Sequence, residues 1–365
     1  MKVPYIDLSL KNSSVKDDIL HAISHVLDSG HFILGEEVQD LEAKIARSCG
    51  CKHALGVSNG TDALVLVMKA LGIGPGDEVI TAPNSFLASA SSIALAGATP
   101  VFSDVGEDMN LDPEELEKAI TPRTKAIIAV HLTGRMARMN EIYDIAHSHQ
   151  LQVIEDSAQS FGASRDGKHP GYYGVAATYS LHPLKVLSAC GDGGLITTND
   201  TKLYERLLVA RNHGLVTRDR CEFWSWNFRL DTIQAAILLA KLPHFETWLR
   251  RRREIGARYF QGLNDIVSCP QVLENEEPAY HLYVIQTERR DELQAFLADK
   301  QIESKIHYPI PIHLQPAAKG LGYEKGSFPV TERLADTILS LPIYPELDDA
   351  QVDYVISTVR SYFHA

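Results

Sequence analysis

Cysteine is scarce in this sequence and unpatterned. Cys49, Cys51, Cys190, Cys221 and Cys269 are odd in number, scattered, and form no C-x-x-C pair. That excludes a disulfide framework and a cysteine zinc site, so no metal is expected and a reducing compartment suits the chain. Positive charge is also in short supply. With 35 basic against 47 acidic residues, the formal net charge is -12, which excludes the basic face that non-specific nucleic-acid binding needs. Any anionic ligand must be held by local groups against the overall field. Long apolar runs are missing too: the most apolar, Ala63–Leu71, is interrupted by Lys69 and is far too short to span a bilayer. The start, Met1-Lys-Val-Pro-Tyr-Ile-Asp-Leu, lacks the charged-then-apolar pattern of a leader. A cytoplasmic location is expected, with neither membrane nor nucleic acid as a partner.

What the chain does contain is an alternating pattern on an ordinary globular composition, 45% hydrophobic and 22% charged. Its 365 residues allow about two domains. A helical stretch from Ser13/Ser14 stops at Gly30, and a second, Glu37–Ala46, ends near Gly50. Between them the apolar loop His31–Gly35 is as well read as a packing contact as a site-facing one. Short apolar runs (Ala54–Val57, Glu78–Thr81, Pro100–Phe102, Ala126–His131, Gln152–Glu155, Leu195–Thr198) then alternate with helical segments (Thr61–Leu71, Ser85–Ala96, Pro113–Ile120, Asn140–His149, Lys202–Ala210). Runs of this kind are strands buried on both faces, as in a mostly parallel sheet covered by helices. Pro243 must kink or stop the helix that begins at Thr232. It is the expected boundary between a large unit, 1–243, and a smaller α+β unit, 244–365, with the N-terminal segment able to pack on the smaller one. In that smaller unit a strand at His281–Gln286, a helix at Asp291–Asp299, a strand at Ile302–His307 and two C-terminal helices are expected. The four-arginine run Arg250–Arg253 is taken as a solvated helix face.

Three stretches carry chemistry. In Ser58-Asn-Gly60-Thr61-Asp62, a glycine before a helix N-terminus exposes backbone N–H groups and the positive dipole end, which suits a phosphate. The stretch matches neither the dinucleotide fingerprint nor the P-loop, which disfavours a nicotinamide oxidoreductase or an ATP site. In Val153-Ile-Glu155-Asp156, the carboxylates end a buried strand, where α/β sheets bind ligands. A carboxylate there can keep a cationic ring nitrogen protonated, and Gln159, three residues on, can donate to a ring oxygen. A lone aspartate in such a place is more often a cap or surface acid. In Thr178–Gly194, Lys185 sits in a small-residue turn, Ser180 precedes it as a phosphate ligand, and Gly191, Gly193 and Gly194 allow backbone to approach a ligand closely. A lysine that forms a Schiff base must be fixed and able to lose its proton. Each signal is weak alone. Together and in this order they look like the lysine site of a pyridoxal-phosphate enzyme.

These stretches, with Gly74-Pro-Gly-Asp-Glu-Val-Ile, Glu155-Asp-Ser-Ala-Gln-Ser-Phe-Gly162, Asn227-Phe-Arg-Leu-Asp-Thr-Ile-Gln-Ala-Ala236 and His307-Tyr-Pro309, resemble the DegT/DnrJ/EryC1/StrS family of pyridoxal-phosphate-dependent sugar aminotransferases over nearly the whole chain. The resemblance implies the aspartate-aminotransferase fold type I: an α/β chain with a mostly parallel central sheet flanked by helices and a smaller α+β C-terminal domain. It implies that Lys185 bonds the cofactor and shuttles protons, that Asp156 pairs with the pyridine nitrogen, and that Gln159 contacts the ring hydroxyl. Phe86 would stack on the ring. Gly60, Thr61, Asp62 through its amide, and Ser180 would hold the phosphate, and Asn227 would reach it from the partner subunit of a homodimer. Arg229, His307 and Tyr308 would face the substrate. Two features depart from the commonest pattern, Asp192 where a glutamate is usual and His182-Pro183-Leu184 before the lysine, and both weaken transfer of substrate identity. The implied reaction moves an amino group from L-glutamate to a keto-sugar, foremost a 3-keto sugar linked to UDP or dTDP. A 4-keto nucleotide sugar, a keto-sugar phosphate or an aminocyclitol precursor is an alternative substrate, and a cofactor-binding regulator without turnover is an alternative class.

Overall fold

The computed structural model describes residues 1–364. After helices α1 (Lys16–Ser29) and α2 (Glu36–Ser48) the chain alternates strand and helix: β1 (His53–Val57), α3 (Gly60–Ala70), β2 (Glu78–Thr81), α4 (Leu87–Ala96), β3 (Thr99–Phe102), α5 (Pro113–Lys118), β4 (Thr124–Val130), α6 (Met139–Ser148), β5 (Gln152–Asp156). Next come β6 (Ala176–Ser180), β7 (Gly194–Thr198), α7 (Thr201–Ala210), α8 (Thr232–Lys241) and α9 (Phe245–Leu263). The seven strands form one sheet in the order β1-β7-β6-β5-β4-β2-β3. All neighbours are parallel except β7, which runs antiparallel to both β1 and β6. The interior strands are buried on both faces, as their unbroken apolar runs require.

Strand β6 gives no sequence signal of its own. Its residues Ala-Ala-Thr-Tyr-Ser are mostly small because the amino end of α3 packs directly against it; a Cβ on Gly60 would lie 2.8 Å from Ser180 Cβ. The ladder pairs Val130 with Asp156 and Asp156 with Thr178, so the carboxyl ends of β4, β5 and β6 open on one edge of the sheet.

A second core lies beyond the sheet. Strand β8 (Tyr283–Gln286) pairs antiparallel with β9 (Ile338–Leu341), and helices α10 (Arg290–Asp299), α11 (Pro329–Thr337) and α12 (Asp349–His364) accompany them. The expected strand over 302–307 is not formed: Ile302 and Lys305 make only isolated pairings, with Val3 and Ser340, while the partner of β8 is the unforeseen β9. A single 3-10 turn, Leu242–His244, holds Pro243 between α8 and α9. The handover between cores comes later, inside α9, where Phe245 and Leu249 belong to the sheet's core and Ile255, Tyr259 and Leu263 to the second. Val3 also lies in the second core, its amide bonded to Gln301 O at 2.9 Å. Among the described residues no helix is long and apolar enough to cross a membrane.

Candidate active site

The carboxyl edge of the sheet and the second core enclose a cleft of about 400 Å³. Of the residues singled out from sequence, Gly60, Thr61, Phe86, Asp156, Gln159, Ser180, Lys185, His307 and Tyr308 all line it. Asp62, Asn227 and Arg229 do not.

At one end of the cleft α3 begins. Asn59, in an extended conformation, caps the helix by accepting from the Asp62 amide at 2.9 Å, and its own amide group donates to the Asp62 carboxylate at 2.7 Å. Ser58 also donates to that carboxylate. The Asp62 amide, expected to serve a ligand, is already engaged by this cap. The N–H groups left for one are those of Gly60 and Thr61, on the first turn of the helix. Two glycines of the lysine turn serve packing within the chain. A Cβ on Gly194 would fall 2.4 Å from Asn59 O, so this glycine lets β7 pass the Asn59–Gly60 turn, and Gly193 packs against Leu181 and Leu230.

Deeper in the cleft, the Asp156 carboxylate is buried and accepts from Ser89 Oγ at 2.8 Å and from the Ala158 amide at 3.2 Å. Both bonds hold its charge and aim it. Its neighbour Glu155 turns the opposite way, as alternation along a strand dictates. Glu155 Oε1 accepts the amides of Gly171, Tyr173 and Gly174, and Oε2 lies 2.9 Å from His131 Nε2. Since His131 Nδ1 accepts from the Ala137 amide, Nε2 carries the proton that Glu155 receives. Glu155 is thus structural and Asp156 alone faces the cleft. Gln159 gives its carbonyl to the Thr133 amide at 2.7 Å and directs its NH₂ toward Tyr308 Oη at 3.4 Å. The Phe86 and Tyr308 rings stand 5.8 Å apart on the cleft wall, and Phe86 remains 55% exposed, a flat apolar face with no partner stacked on it among the described residues.

Lys185 enters from the turn after β6. Burial pulls its ammonium down to about 8, opposed by the negative charge of Asp156. An amine must be neutral to attack a carbonyl, so the rate at which Lys185 captures an aldehyde should rise about tenfold per pH unit below 8 and level off above it. Stopped-flow absorbance after mixing the protein with pyridoxal phosphate measures this; a profile still climbing at pH 10 would mean that Lys185 keeps the value of an exposed lysine. On the far wall, burial and then the Lys185 charge lower the His307 imidazole to about 4, with Nδ1 2.9 Å from Ser340 Oγ. Burial also raises the Tyr308 hydroxyl to about 12, with the Asp156 charge acting in the same direction. Both are neutral hydrogen-bonding groups near pH 7.

Several cleft residues had no local signal in the sequence: Tyr5, Ser89, Arg252 and His281. The expectation of a solvated face at Arg250–Arg253 fails at Arg252, which is 1% exposed and gives Nη1 to the carbonyls of Tyr280 and Ile343, both at 2.9 Å. Arg229 lies beside β1, paired with Val57, its Nη1 donating to Asn212 Oδ1 at 3.0 Å and its buried Nε without a partner among the described residues. Asn227 is exposed.

The residues of the cleft fit pyridoxal phosphate. The Gly60–Ser180 approach admits no Cβ and leaves amides for a phosphate, the buried Asp156 supplies a fixed anion, and Lys185 supplies an amine of lowered basicity. No cluster of residues that could hold a metal ion occurs among the described residues.

Comparison with known proteins bears on the same point. A family model described as the DegT/DnrJ/EryC1/StrS aminotransferase family matches residues 13–360. A Geobacillus stearothermophilus protein named pleiotropic regulatory protein is 45% identical over 368 residues, covering 100% of this chain and 99% of its own. A Streptomyces venezuelae protein named dTDP-3-amino-3,4,6-trideoxy-alpha-D-glucose transaminase is 41% identical, covering 99% of this chain and 96% of its own. The crystal structure of S. venezuelae DesV in complex with a ketimine intermediate superposes with a TM-score of 0.97 at 41% identity, covering 100% of this chain and 99% of that one.

Proposed function

From the premise that the chain belongs to the DegT/DnrJ/EryC1/StrS aminotransferase family, we propose that it is a pyridoxal-phosphate-dependent transaminase that moves an amino group from L-glutamate to a nucleotide-linked 3-keto sugar. The observation that carries this reading is the meeting of Lys185, lowered to about 8, with the buried Asp156 in one cleft. The 3-keto position follows the relative named as a transaminase forming a dTDP-3-amino sugar.

When bound, pyridoxal phosphate supplies an electron sink for charge developing at a substrate carbon. The Gly60 and Thr61 amides and the Ser180 hydroxyl would bind the phosphate. Asp156, held by Ser89 and the Ala158 amide, keeps a proton on the ring nitrogen because an adjacent anion favours the protonated form. Gln159 would hold the ring through its oxygen, and Phe86 would cover a face of it. Lys185 would carry a proton between the substrate carbon and the cofactor, off the amino-acid carbon in one half-reaction and onto the sugar carbon in the other, which a neutral amine near pH 8 does well in both directions. His307 and Tyr308, neutral and on the opposite wall, hydrogen-bond the sugar.

Asn227 and Arg229 act across the interface of a homodimer. Their position outside the cleft of a single chain supports this, as do exposed apolar side chains nearby in sequence, Trp224 at 94% and Trp226 at 47%.

The test is the visible spectrum of the purified protein with pyridoxal phosphate, before and after excess L-glutamate. A long-wavelength band should form and then give way to the pyridoxamine form, and a dTDP- or UDP-linked 3-keto sugar should restore it. A band indifferent to glutamate would remove glutamate as donor. Reversal by 4-keto sugars alone would move the reaction to the other carbon.

A further inference from the structure

We propose that Lys11 is a positioning residue for Lys185, clamping the His182–Lys185 turn through its backbone so that the Lys185 side chain is presented to the cleft. The inference rests on the role given to Lys185 above. Lys11 Nζ donates to Pro183 O at 2.7 Å and to Lys185 O at 2.6 Å, one carbonyl on each side of Leu184. Lys11 is 8% exposed and forms no ion pair among the described residues. A buried lysine without a carboxylate is costly, and here its donors go to the main chain of the very residue that must be held in place.

The turn has few other supports. Lys185 N–H closes it on His182 O at 2.8 Å, and the Ala189 amide ties its far end to Leu181 O at 2.8 Å. On that far side a second buried lysine, Lys241, donates to Ser188 O at 2.8 Å. Among the described residues only Lys11 holds the carbonyl attached to the Lys185 Cα. Fixing that carbonyl and the one two residues earlier fixes the Cα–Cβ direction, so only side-chain torsions are left to Lys185. Burial, with Arg252 and Lys241 adding repulsion, brings the Lys11 ammonium down to about 7. The neutral amine keeps two N–H groups, so both carbonyls stay satisfied in either protonation state.

The segment that carries Lys11 is itself anchored in the second core. Glu303 N–H donates to Val3 O and Val3 N–H to Gln301 O, both at 2.9 Å, while Tyr5 and Ile6 between these points line the cleft. The strap thus runs from the second core, along the cleft wall, to the lysine turn.

The experiment compares affinities of the full chain for pyridoxal phosphate, whose aldehyde needs Lys185, and pyridoxamine phosphate, which has no aldehyde. In Lys11→Met the ratio of the two affinities should fall about tenfold against pyridoxal phosphate, the scale of leaving a buried carbonyl unpaired. Affinity for pyridoxamine phosphate should stay within about twofold, because Gly60, Thr61, Ser180 and Asp156 are untouched. Lys241→Met, which loosens the far side of the turn, should leave the ratio unchanged, and Lys11→Arg should restore it. Should Lys11→Met not fold, Lys11→Gln carries the same comparison. An unchanged ratio, an equal loss for both ligands, or an equal shift in Lys241→Met overturns the positioning role. If the unsubstituted protein forms no covalent link with pyridoxal phosphate, the failure lies with the function proposed for Lys185.

Discussion

Lys185→Ala is expected to abolish transamination, lowering the rate at which L-glutamate converts the bound cofactor by on the order of 10⁴-fold or more. Two losses combine. The nucleophile proposed to hold the cofactor aldehyde would be gone, and so would the base proposed to move the proton between carbons. The rest of the cleft survives, because Asp156 keeps its bonds to Ser89 and Ala158 and the α3 amides do not depend on the lysine. Pyridoxal phosphate should therefore still bind, absorbing as the free aldehyde. Single-turnover absorbance with glutamate measures the first effect and equilibrium dialysis the second. The pair of measurements also weighs enzyme against regulator, a question raised by the relative named as a pleiotropic regulatory protein. A regulator that needs only the bound cofactor would keep its function in Lys185→Ala. Turnover within tenfold of the unsubstituted protein would remove Lys185 from the chemistry.

Asp156→Asn should act in two opposite senses at once. The isosteric amide can still meet Ser89, yet it carries no charge to hold a proton on the ring nitrogen. The turnover rate should fall by about 10²–10³-fold, the usual scale for removing one preorganised electrostatic group. At the same time the Lys185 ammonium loses the anion that opposes its burial. Its value should drop below about 8, and the pH midpoint for aldehyde capture should move to lower pH. Slower turnover with easier capture is a pattern that general loosening of the site does not produce. A midpoint that stays or moves upward would show that Asp156 does not act on Lys185.

Much of this was legible along the chain. Apolar runs with no polar alternation marked strands buried on both faces, and the carboxylates at the end of Gln152–Asp156 marked the ligand edge of the sheet. A glycine at a helix start and a lysine among small residues completed the set. Such signals are local: each depends on residues a few positions apart, so periodicity and turn chemistry suffice to read them. Local reading failed where it expected a solvated Arg252 and a strand over 302–307, and it did not foresee that Asn59 engages the Asp62 amide. In each case a distant or competing partner decided: two carbonyls beside the cleft, the Asn59 cap, and β9 taking the place beside β8.

The sequence by itself determined the class of fold and singled out the helix start proposed as the phosphate cradle and the lysine and aspartate proposed to act together. Only the tertiary structure decided which groups hold those two in position. Ser89 reaches Asp156 across 67 residues and Lys11 reaches Lys185 across 174. No pattern of neighbours encodes such pairings, because they exist only once the sheet has brought strand ends and helix starts to one edge and the second core has laid the N-terminal segment over them.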